Sequence, residues 1–177
     1  HRVDRRQRQM CIETAKDLII RGGHNIDPAE IEEALLAHPA VAFAGAIGQP
    51  DAHAGELPCA YVELAKGARL TEAELHAHAR DHILERAALP KHIEILPELP
   101  KTAVGKVFKP DLRRMAITRI YNAALTEAGL PAQVTAVIED KKRGLVAKLT
   151  RSGAVNDAQI SAVLGQFAQG WEWEAAQ

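Results

Sequence analysis

Lys106 is the residue of this chain whose type and setting are best suited to chemistry. It ends the segment Leu-Pro-Lys-Thr-Ala-Val-Gly-Lys at residues 99–106, a loop sequence punctuated by proline and glycine. Gly105 has no side chain that would block a ligand beside the amine, and a primary ammonium on a flexible stem suits close approach to a phosphate or a carboxylate. Most loop lysines are solvated surface groups, so Lys106 gains meaning only together with other motifs.

A second pattern is the glycine pair Gly22-Gly23, which follows an apolar segment at residues 18–20 and precedes His24. A backbone without Cβ atoms can lie against a thin ligand. The same pair also predicts a tight turn after a strand. The two interpretations are compatible.

Four segments in order carry a family resemblance: residues 16–26, 28–32, 38–41 and 99–106. Together they resemble the C-terminal domain of the AMP-forming acyl-CoA synthetases, a superfamily that also includes firefly luciferase and the adenylation domains of peptide synthetases. The resemblance covers residues 14–114. It implies an α/β fold, with small mixed sheets packed against helices, in a domain that closes as a lid over an active site.

The resemblance implies that Lys106 enters an adenylation site built mostly by a larger N-terminal domain. There a carboxylate attacks the α-phosphate of ATP, and a fixed cation lowers the barrier by stabilising the negative charge that develops on the phosphoryl oxygens. Thr102 and Gly105 are implied as supports of the loop. A Mg2+ ion is implied to share in stabilising that charge, although the sequence shows no ligand cluster for it.

The resemblance also implies a change of pose once the adenylate has formed. Lys16 corresponds to the hinge about which the domain swings, and Lys106 then withdraws. In the second pose Gly22, Gly23 and His24 are implied to wall the tunnel through which the pantetheine thiol of CoA reaches the acyl-adenylate. The chain departs from the family pattern at Thr14, where most members carry arginine.

The remainder of such an enzyme is not recognisable in the 177 residues. They contain no Ser/Thr/Gly-rich phosphate loop and no Walker-type or dinucleotide fingerprint, and their number suits one domain with an appendage. We therefore expect the lid part of an AMP-forming carboxylic acid:CoA ligase without its N-terminal ATP- and acid-binding domain. Such a chain would be inactive alone and would use ATP, CoA and Mg2+ only in the complete enzyme. The alternative is a freestanding lid that acts as a docking or regulatory module.

Composition argues against several other functions. Apolar residues make up 47% and charged residues 25% of the chain, and the formal net charge is -1. This balance argues against nucleic acid or an anionic membrane surface as the main partner, because both need a concentrated excess of cations. No apolar run is long enough to span a bilayer, and two cysteines without paired spacings indicate a reducing cytoplasm.

The histidines raise the question of a metal site. His78 and His82 are four residues apart on a predicted helix, a spacing that can bind zinc. No cysteine or carboxylate cluster completes the site, and His76 lies on another flank, so we expect no metal. His24 and His53 fall in loops, where they could touch CoA or the partner domain or be plain surface groups.

Periodicity and turn residues predict the order of the elements. Asp27, Pro28 and Glu30 predict a capped helix start, and Thr71 with Glu74 predicts a second capping box. The predicted strands are residues 18–20, 41–47, 57–64 and 91–96 with a brief strand at 107–108, and the predicted helices are 28–38, one that begins at 71, and 110–128.

We expect three parts in the chain: residues 1–13 as a remnant of an inter-domain segment, 14–129 as the lid domain, and 130–177 as an α/β extension. The extension is predicted to hold a β-hairpin and an amphipathic helix, from residues 134–138 and 145–149 and from Ile160, Val163, Leu164 and Phe167. It is either an added oligomerisation or docking element, or a widening of the domain's own sheet.

Two tryptophans near the end of the extension allow two interpretations. Trp171 and Trp173 are either an exposed anchor for a partner or a clasp onto the sheet. The clasp is favoured, because an exposed pair of tryptophans lowers solubility.

Overall fold

A computed structural model of the protein describes residues 17–174, and its first feature is the turn at the glycine pair. β1 (Ile19–Arg21) and β2 (His24–Ile26) pair antiparallel on either side of this turn. Gly22 and Gly23 have positive φ values of +53° and +90°, as a two-residue hairpin turn of the primed type requires. The predicted strand is shifted by one residue. β2 is not among the predicted strands, because three residues are too few to show a period.

The first helix, α1 (Pro28–Leu36), begins where its sequence predicts. Asp27 accepts a hydrogen bond from the amide of Ala29 at 2.9 Å. The amide of Glu30 donates to the main-chain carbonyl of Asp27 and not to its side chain, so the capping box predicted with Glu30 is wrong. The helix ends two residues earlier than predicted, ahead of a proline that cannot continue it.

The first sheet has the strand order β2-β1-β4-β3. β3 (Val41–Asp51) and β4 (Gly55–Leu64) correspond to the predicted strands 41–47 and 57–64, and both are longer than predicted. Gly48 and Pro50 lie beyond the predicted end of the strand at residue 47. They continue β3 because it is an edge strand, where a proline does not interrupt the hydrogen bonds of the sheet.

The fifth strand of this sheet, β5 (His92–Leu96), pairs parallel with β4. It follows α2 (Glu72–His82), whose start carries the predicted capping box between Thr71 and Glu74, and a single 3-10 turn at Arg86–Ala88. Both helices and the sheet contribute to one buried apolar cluster, which includes Ile19, Ile26, Ile31, Leu35, Val62, Leu75 and Ile93. The predicted brief strand at 107–108 is reduced to one isolated bridge.

The last part of the chain begins with the long helix α3 (Lys109–Glu127), close to its predicted span. β6 (Ala132–Asp140) and β7 (Gly144–Arg151) form the predicted antiparallel hairpin. After α4 (Asp157–Leu164), β8 (Gly170–Trp173) returns to pair parallel with β7. The three strands form a separate sheet in the order β6-β7-β8, so the expectation that they widen the first sheet is wrong.

A second buried cluster joins α3, α4 and this three-stranded sheet. Its members include Ile117, Tyr121, Leu125, Val134, Leu149, Ile160 and Leu164. Trp171 and Trp173 pack against it from β8. The indole N–H of Trp173 donates to Asp157 at 2.7 Å, and the Arg151 guanidinium lies 3.7 Å from the centre of the Trp173 ring. The predicted clasp onto the sheet is therefore confirmed.

The described chain divides into two units, each with its own core. The first contains residues 17–48 and 56–109, and the second contains residues 49–55 and 110–174. The second unit thus takes in the whole of α3 after its first residue, together with the turn between β3 and β4. The predicted domain limits at 13/14 and 129/130 stay predictions. The α/β fold class, with small sheets and packed helices, is confirmed.

None of the helices within residues 17–174 combines the length and the hydropathy that a bilayer crossing demands.

Candidate functional site

The loop that carries Lys106 is a closed turn of five residues. The amide of Thr102 donates to the carbonyl of Lys106 at 2.7 Å, and the amide of Gly105 donates to the carbonyl of Thr102 at 2.9 Å. The Thr102 hydroxyl accepts the amide of Lys106 at 3.2 Å. Gly105 has a φ of +79°, a conformation that costs a residue with a side chain about 1–2 kcal/mol. Thr102 and Gly105 therefore shape the turn on which Lys106 sits.

The side chain of Lys106 is exposed at the end of this turn. Within residues 17–174 no carboxylate pairs with its ammonium group, and the neighbouring Val104 is 81% exposed. An exposed side chain of this kind is accessible to a partner outside the unit. The arrangement is the one that the predicted role needs, and that role stays a prediction.

The base of the loop is fixed by a carboxylate that sequence reasoning missed. Glu63, at the end of β4, accepts the ammonium of Lys101 at 2.6 Å and the amide of Leu99 at 2.8 Å, both on Oε2. Burial alone would raise the pKa of the Glu63 carboxyl, but these two hydrogen bonds outweigh it and hold the pKa below its ordinary value. The Lys101 ammonium also lies 4.4 Å from the centre of the Phe43 ring.

The two legs of the loop are joined to each other just above this carboxylate. Lys101 and Val107 form an antiparallel bridge, and the amide of Phe108 donates to the carbonyl of Pro100 at 2.7 Å. The loop therefore leaves the body of the unit as a short closed hairpin, with Lys106 at the end of its turn.

A second lysine pair holds the chain where it leaves the loop. The ammonium of Lys109 lies 2.9 Å from Oε1 of Glu32 on α1. The same oxygen accepts the amide of Ala46 in β3 at 2.8 Å. One carboxylate thus ties the first residue of α3 to a helix and a strand of the first unit.

The predicted tunnel residues lie on the β1–β2 hairpin. Gly22, Gly23 and His24 are all exposed. A Cβ atom added at either glycine would meet nothing within 4 Å, so the space beside the turn is open and only the positive φ values favour glycine. The hairpin is held by Arg21, whose guanidinium donates to the carbonyl of Ala87 at 2.7 Å. The turn is thus exposed and has no side chain at its two glycines, and its contact with CoA stays a prediction.

Of the two remaining predicted residues, Lys16 and His53, the structure describes only His53. The proposed hinge, Lys16, lies outside residues 17–174, as do Thr14 and the segment 1–13. His53 lies in the turn between β3 and β4, where its amide donates to the Asp51 carboxylate at 3.0 Å.

Three histidines of the first unit form a ring cluster. His78 stacks on His82 with ring centres 3.9 Å apart and meets His38 edge-on at 5.0 Å. Nε2 of His78 lies 2.9 Å from the carbonyl of Ala34, and Nδ1 of His82 lies 2.8 Å from the carbonyl of His78. These nitrogens serve backbone groups, and no group of three metal-ligating side chains occurs in the part of the chain that the structure describes. The cluster packs α2 against the C-terminal end of α1 and the residues that follow it.

Sequence reasoning missed both ion pairs of the loop base for the same reason. Glu63 and Lys101 are 38 positions apart, and Glu32 and Lys109 are separated by most of the unit. Neither pair has a periodic signal, because each is made by folding of distant segments. The alternation of β4 could have marked Glu63 only as a strand-end carboxylate.

Comparison with known proteins relates this geometry to one family. The sequence model of the AMP-binding enzyme C-terminal domain matches residues 30–106, a stretch that ends on Lys106. The marinolic acid–CoA ligase of a Pseudoalteromonas species is 55% identical over 104 residues, which is 59% of this chain and 16% of that protein. The peroxisomal trans-cinnamate:CoA ligase of Petunia hybrida is 45% identical over 101 residues, 57% of this chain and 18% of that protein.

Solved structures also match part of this chain, and those matched include an acyl-CoA synthetase. Apo MatB from Rhodopseudomonas palustris superposes with a TM-score of 0.51 and 41% identity, over 55% of this chain and 19% of that one. The acyl-CoA synthetase of Brucella canis superposes with a TM-score of 0.50 and 40% identity, over 55% and 18% of the two chains. The chain thus spans about a fifth of the length of the relatives that it matches, from 16% to 21%.

Proposed function

We propose, from the premise that residues 30–106 are an AMP-binding enzyme C-terminal domain, that this chain serves an AMP-forming carboxylic acid:CoA ligase as its closing lid. The reaction joins a carboxylic acid, ATP and CoA to give acyl-CoA, AMP and pyrophosphate. The observation that carries the proposal is the exposed Lys106, presented on a closed turn with no carboxylate of residues 17–174 paired to its ammonium.

In the first half-reaction Lys106 would act as the cation of the adenylation site. The acid attacks the α-phosphorus of ATP, a bond to the carboxylate oxygen forms, and pyrophosphate leaves. Negative charge grows on the phosphoryl oxygens during this step, and an ammonium already in place stabilises it more in the transition state than in the ground state. The closed turn supports this role because it can enter a site without rearranging its own hydrogen bonds.

In the second half-reaction the hairpin at Gly22-Gly23 would face the path of CoA. The CoA thiol attacks the acyl carbon of the adenylate, and AMP leaves. A turn without Cβ atoms and with open space beside it offers little obstruction to the pantetheine arm. His24 stands next to it, and Lys16, outside the described residues, would be the hinge between the two poses.

The partner required by this proposal is an N-terminal adenylation domain, in the same or in a separate chain. That domain would hold ATP and the acid. The residues described here do not fit a site for Mg2+, because they contain no cluster of three ligating side chains, so the ion would be held elsewhere and we derive no step through it. We further propose a cytoplasmic setting, because the two cysteines have no paired spacing. We propose a fatty or aromatic acid as substrate, because two related ligases are named for trans-cinnamate and for long-chain fatty acids.

The decisive experiment compares the two half-reactions in the complete ligase. Lys106→Ala should slow acyl-adenylate formation, measured by ATP–pyrophosphate exchange, by a factor on the order of a hundred or more. It should leave thioester formation from supplied acyl-adenylate nearly unchanged. Lys66→Ala, at an exposed lysine in another loop of the same unit, is the matched control. Equal loss in both half-reactions would refute the role.

The alternative of a docking module without activity of its own is tested on the chain by itself. The proposal expects no exchange activity until an adenylation domain is added, and then a gain that depends on Lys106. A gain that Lys106→Ala leaves intact would favour the docking module. Exchange by the chain alone would show that it carries a nucleotide site of its own.

A further inference from the structure

The position of the Lys106 ammonium depends on the loop rather than on contacts of its own side chain. The turn at 102–106 is internally closed by three hydrogen bonds, and residues 103–106 are exposed. A closed turn of this kind moves as one piece, so its direction is decided where its legs leave the body of the unit. The base of the loop is therefore where the reach of the catalytic lysine would be set.

One carboxylate oxygen controls the incoming leg. Oε2 of Glu63 receives the amide of Leu99 at 2.8 Å and the ammonium of Lys101 at 2.6 Å. The side chains of Glu63 and Lys101 are only 16% and 19% exposed, and Leu99 is 1% exposed. In such a setting the charge pair is poorly screened, and removal of one partner leaves a donor without an acceptor.

Lys101 is also restrained by a second contact, and it links the outgoing leg of the loop to the incoming one. Its ammonium lies over the ring of Phe43 at 4.4 Å, a cation–π geometry. Its backbone bridges to Val107, the residue after Lys106. Both legs of the loop are thus tied to Glu63, one directly and one through Lys101.

We propose that Glu63 and Lys101 are positioning residues for Lys106, and that their ion pair sets where the catalytic ammonium arrives in the adenylation site. This proposal rests on the proposed function. Misplacement of a reacting group by about 1 Å can cost on the order of a hundredfold in rate, and a leg released from Glu63 permits shifts of that size. Neither residue would touch the substrate.

The first test uses the complete ligase and three variants. Glu63→Gln keeps an acceptor for the Leu99 amide but removes the charge, and Lys101→Met keeps the apolar stem against Phe43 but removes the ammonium. Each should slow adenylate formation by about tenfold or more and leave thioester formation from supplied adenylate unchanged. Glu172→Gln is the matched control, since Glu172 also receives two cationic donors, Lys148 and Arg143, but in the second unit.

A coupling measurement separates positioning from general stabilisation. If Glu63 acts through Lys106, then Glu63→Gln should cause no further loss of adenylation in a Lys106→Ala background. A residue that merely stabilises the unit would lower the rate by the same factor in both backgrounds. Lys101→Arg, which keeps the charge and the ring contact, should restore most of the rate lost in Lys101→Met.

The outcomes distinguish this proposal from the one on which it rests. If Lys106→Ala leaves adenylation unchanged, the proposed function fails. If Lys106→Ala slows it but Glu63→Gln and Lys101→Met behave like Glu172→Gln, only the positioning role is overturned. Equal loss in both half-reactions, or full additivity with Lys106→Ala, also overturns it. Should Glu63→Gln fail to fold, Lys101→Met decides, because it leaves the bond from Leu99 to Glu63 in place.

Discussion

The hydroxyl of Thr102 accepts the amide of Lys106 at 3.2 Å, so the residue that opens the turn also fixes the residue that closes it. Thr102→Val keeps the shape of the side chain and removes this acceptor. A single hydrogen bond of this kind contributes about 1 kcal/mol, which corresponds to about fivefold in rate if the loop must be ordered for adenylation. We expect that loss in ATP–pyrophosphate exchange by the complete ligase. Thr102→Ser should retain the rate, and a Ser variant as slow as the Val variant would contradict this reading.

Gly105 should resist substitution because of its backbone and not because of its surroundings. Its φ is +79°, and a Cβ atom there would meet nothing within 4 Å. Gly105→Ala should therefore cost about 1–2 kcal/mol locally, seen as faster hydrogen exchange of the amides in residues 102–106. Gly170→Ala is the control, since a Cβ atom at Gly170 also meets nothing within 4 Å and its φ is ordinary. For each variant, the measurement is the change in hydrogen exchange of the amides around the substituted glycine. Equal increases around Gly105 and Gly170 would speak against the conformational explanation.

The buried phenol of Tyr121 should make the second unit sensitive to alkaline pH. Its hydroxyl donates to the carbonyl of Gln169 at 2.5 Å, and burial raises the pKa of Tyr121 well above its ordinary value of 10.0. A raised pKa in the folded state means that the stabilisation is complete below pH 10 and declines as the pH rises further. Tyr121→Phe should unfold more easily at pH 8, by about 1 kcal/mol, and should lose part of the alkaline decline.

Tryptophan fluorescence is a suitable signal for the Tyr121 experiment. Both tryptophans of the chain lie on β8 in the second unit, so denaturant unfolding followed by their emission reports on that unit. The quantity to compare is the difference between the wild-type protein and Tyr121→Phe at pH 8 and at pH 11. A difference that does not shrink at the higher pH would contradict the assignment.

Trp173 should contribute more than its apolar surface. It donates to Asp157 at 2.7 Å and lies under the guanidinium of Arg151 at 3.7 Å. Trp173→Phe keeps an aromatic ring but loses the indole donor, and we expect about 1–2 kcal/mol of destabilisation of the second unit by denaturant unfolding. In an Asp157→Asn background the loss should be smaller, because the charged acceptor is already gone. An undiminished loss would place the whole effect in the packing of the ring.

Local features of the fold could be predicted from the sequence, and distant pairings could not. The capping box of Thr71 and Glu74 spans four consecutive positions and is predicted from them, although the same spacing at Asp27 and Glu30 forms no capping box. The strand character of Pro50 depends on whether β3 is an edge of the sheet, which only the assembled sheet decides. The separate second sheet escaped prediction for the same kind of reason: hairpin and helix signals say nothing about which edge a strand joins.

The candidate site likewise has a local part that the sequence predicts and a distant part that it does not. Lys106 and Gly105 are adjacent in sequence, and the family motif identifies both. The carboxylate of Glu63 lies 38 positions before Lys101, and no spacing rule connects the two. The candidate loop can therefore be found from its local sequence, whereas the carboxylate that holds its base is found only in three dimensions.

The parallel return of β8 onto β7 has a consequence for synthesis of the chain. Residues 146–149 gain their second neighbour only when residues 170–173 have left the ribosome, so one edge of a largely apolar strand waits unpaired while α4 is still being made. A nascent chain in that state exposes a template for wrong pairing. Holding chaperones should therefore matter most between the emergence of residues 144–151 and that of residues 170–173.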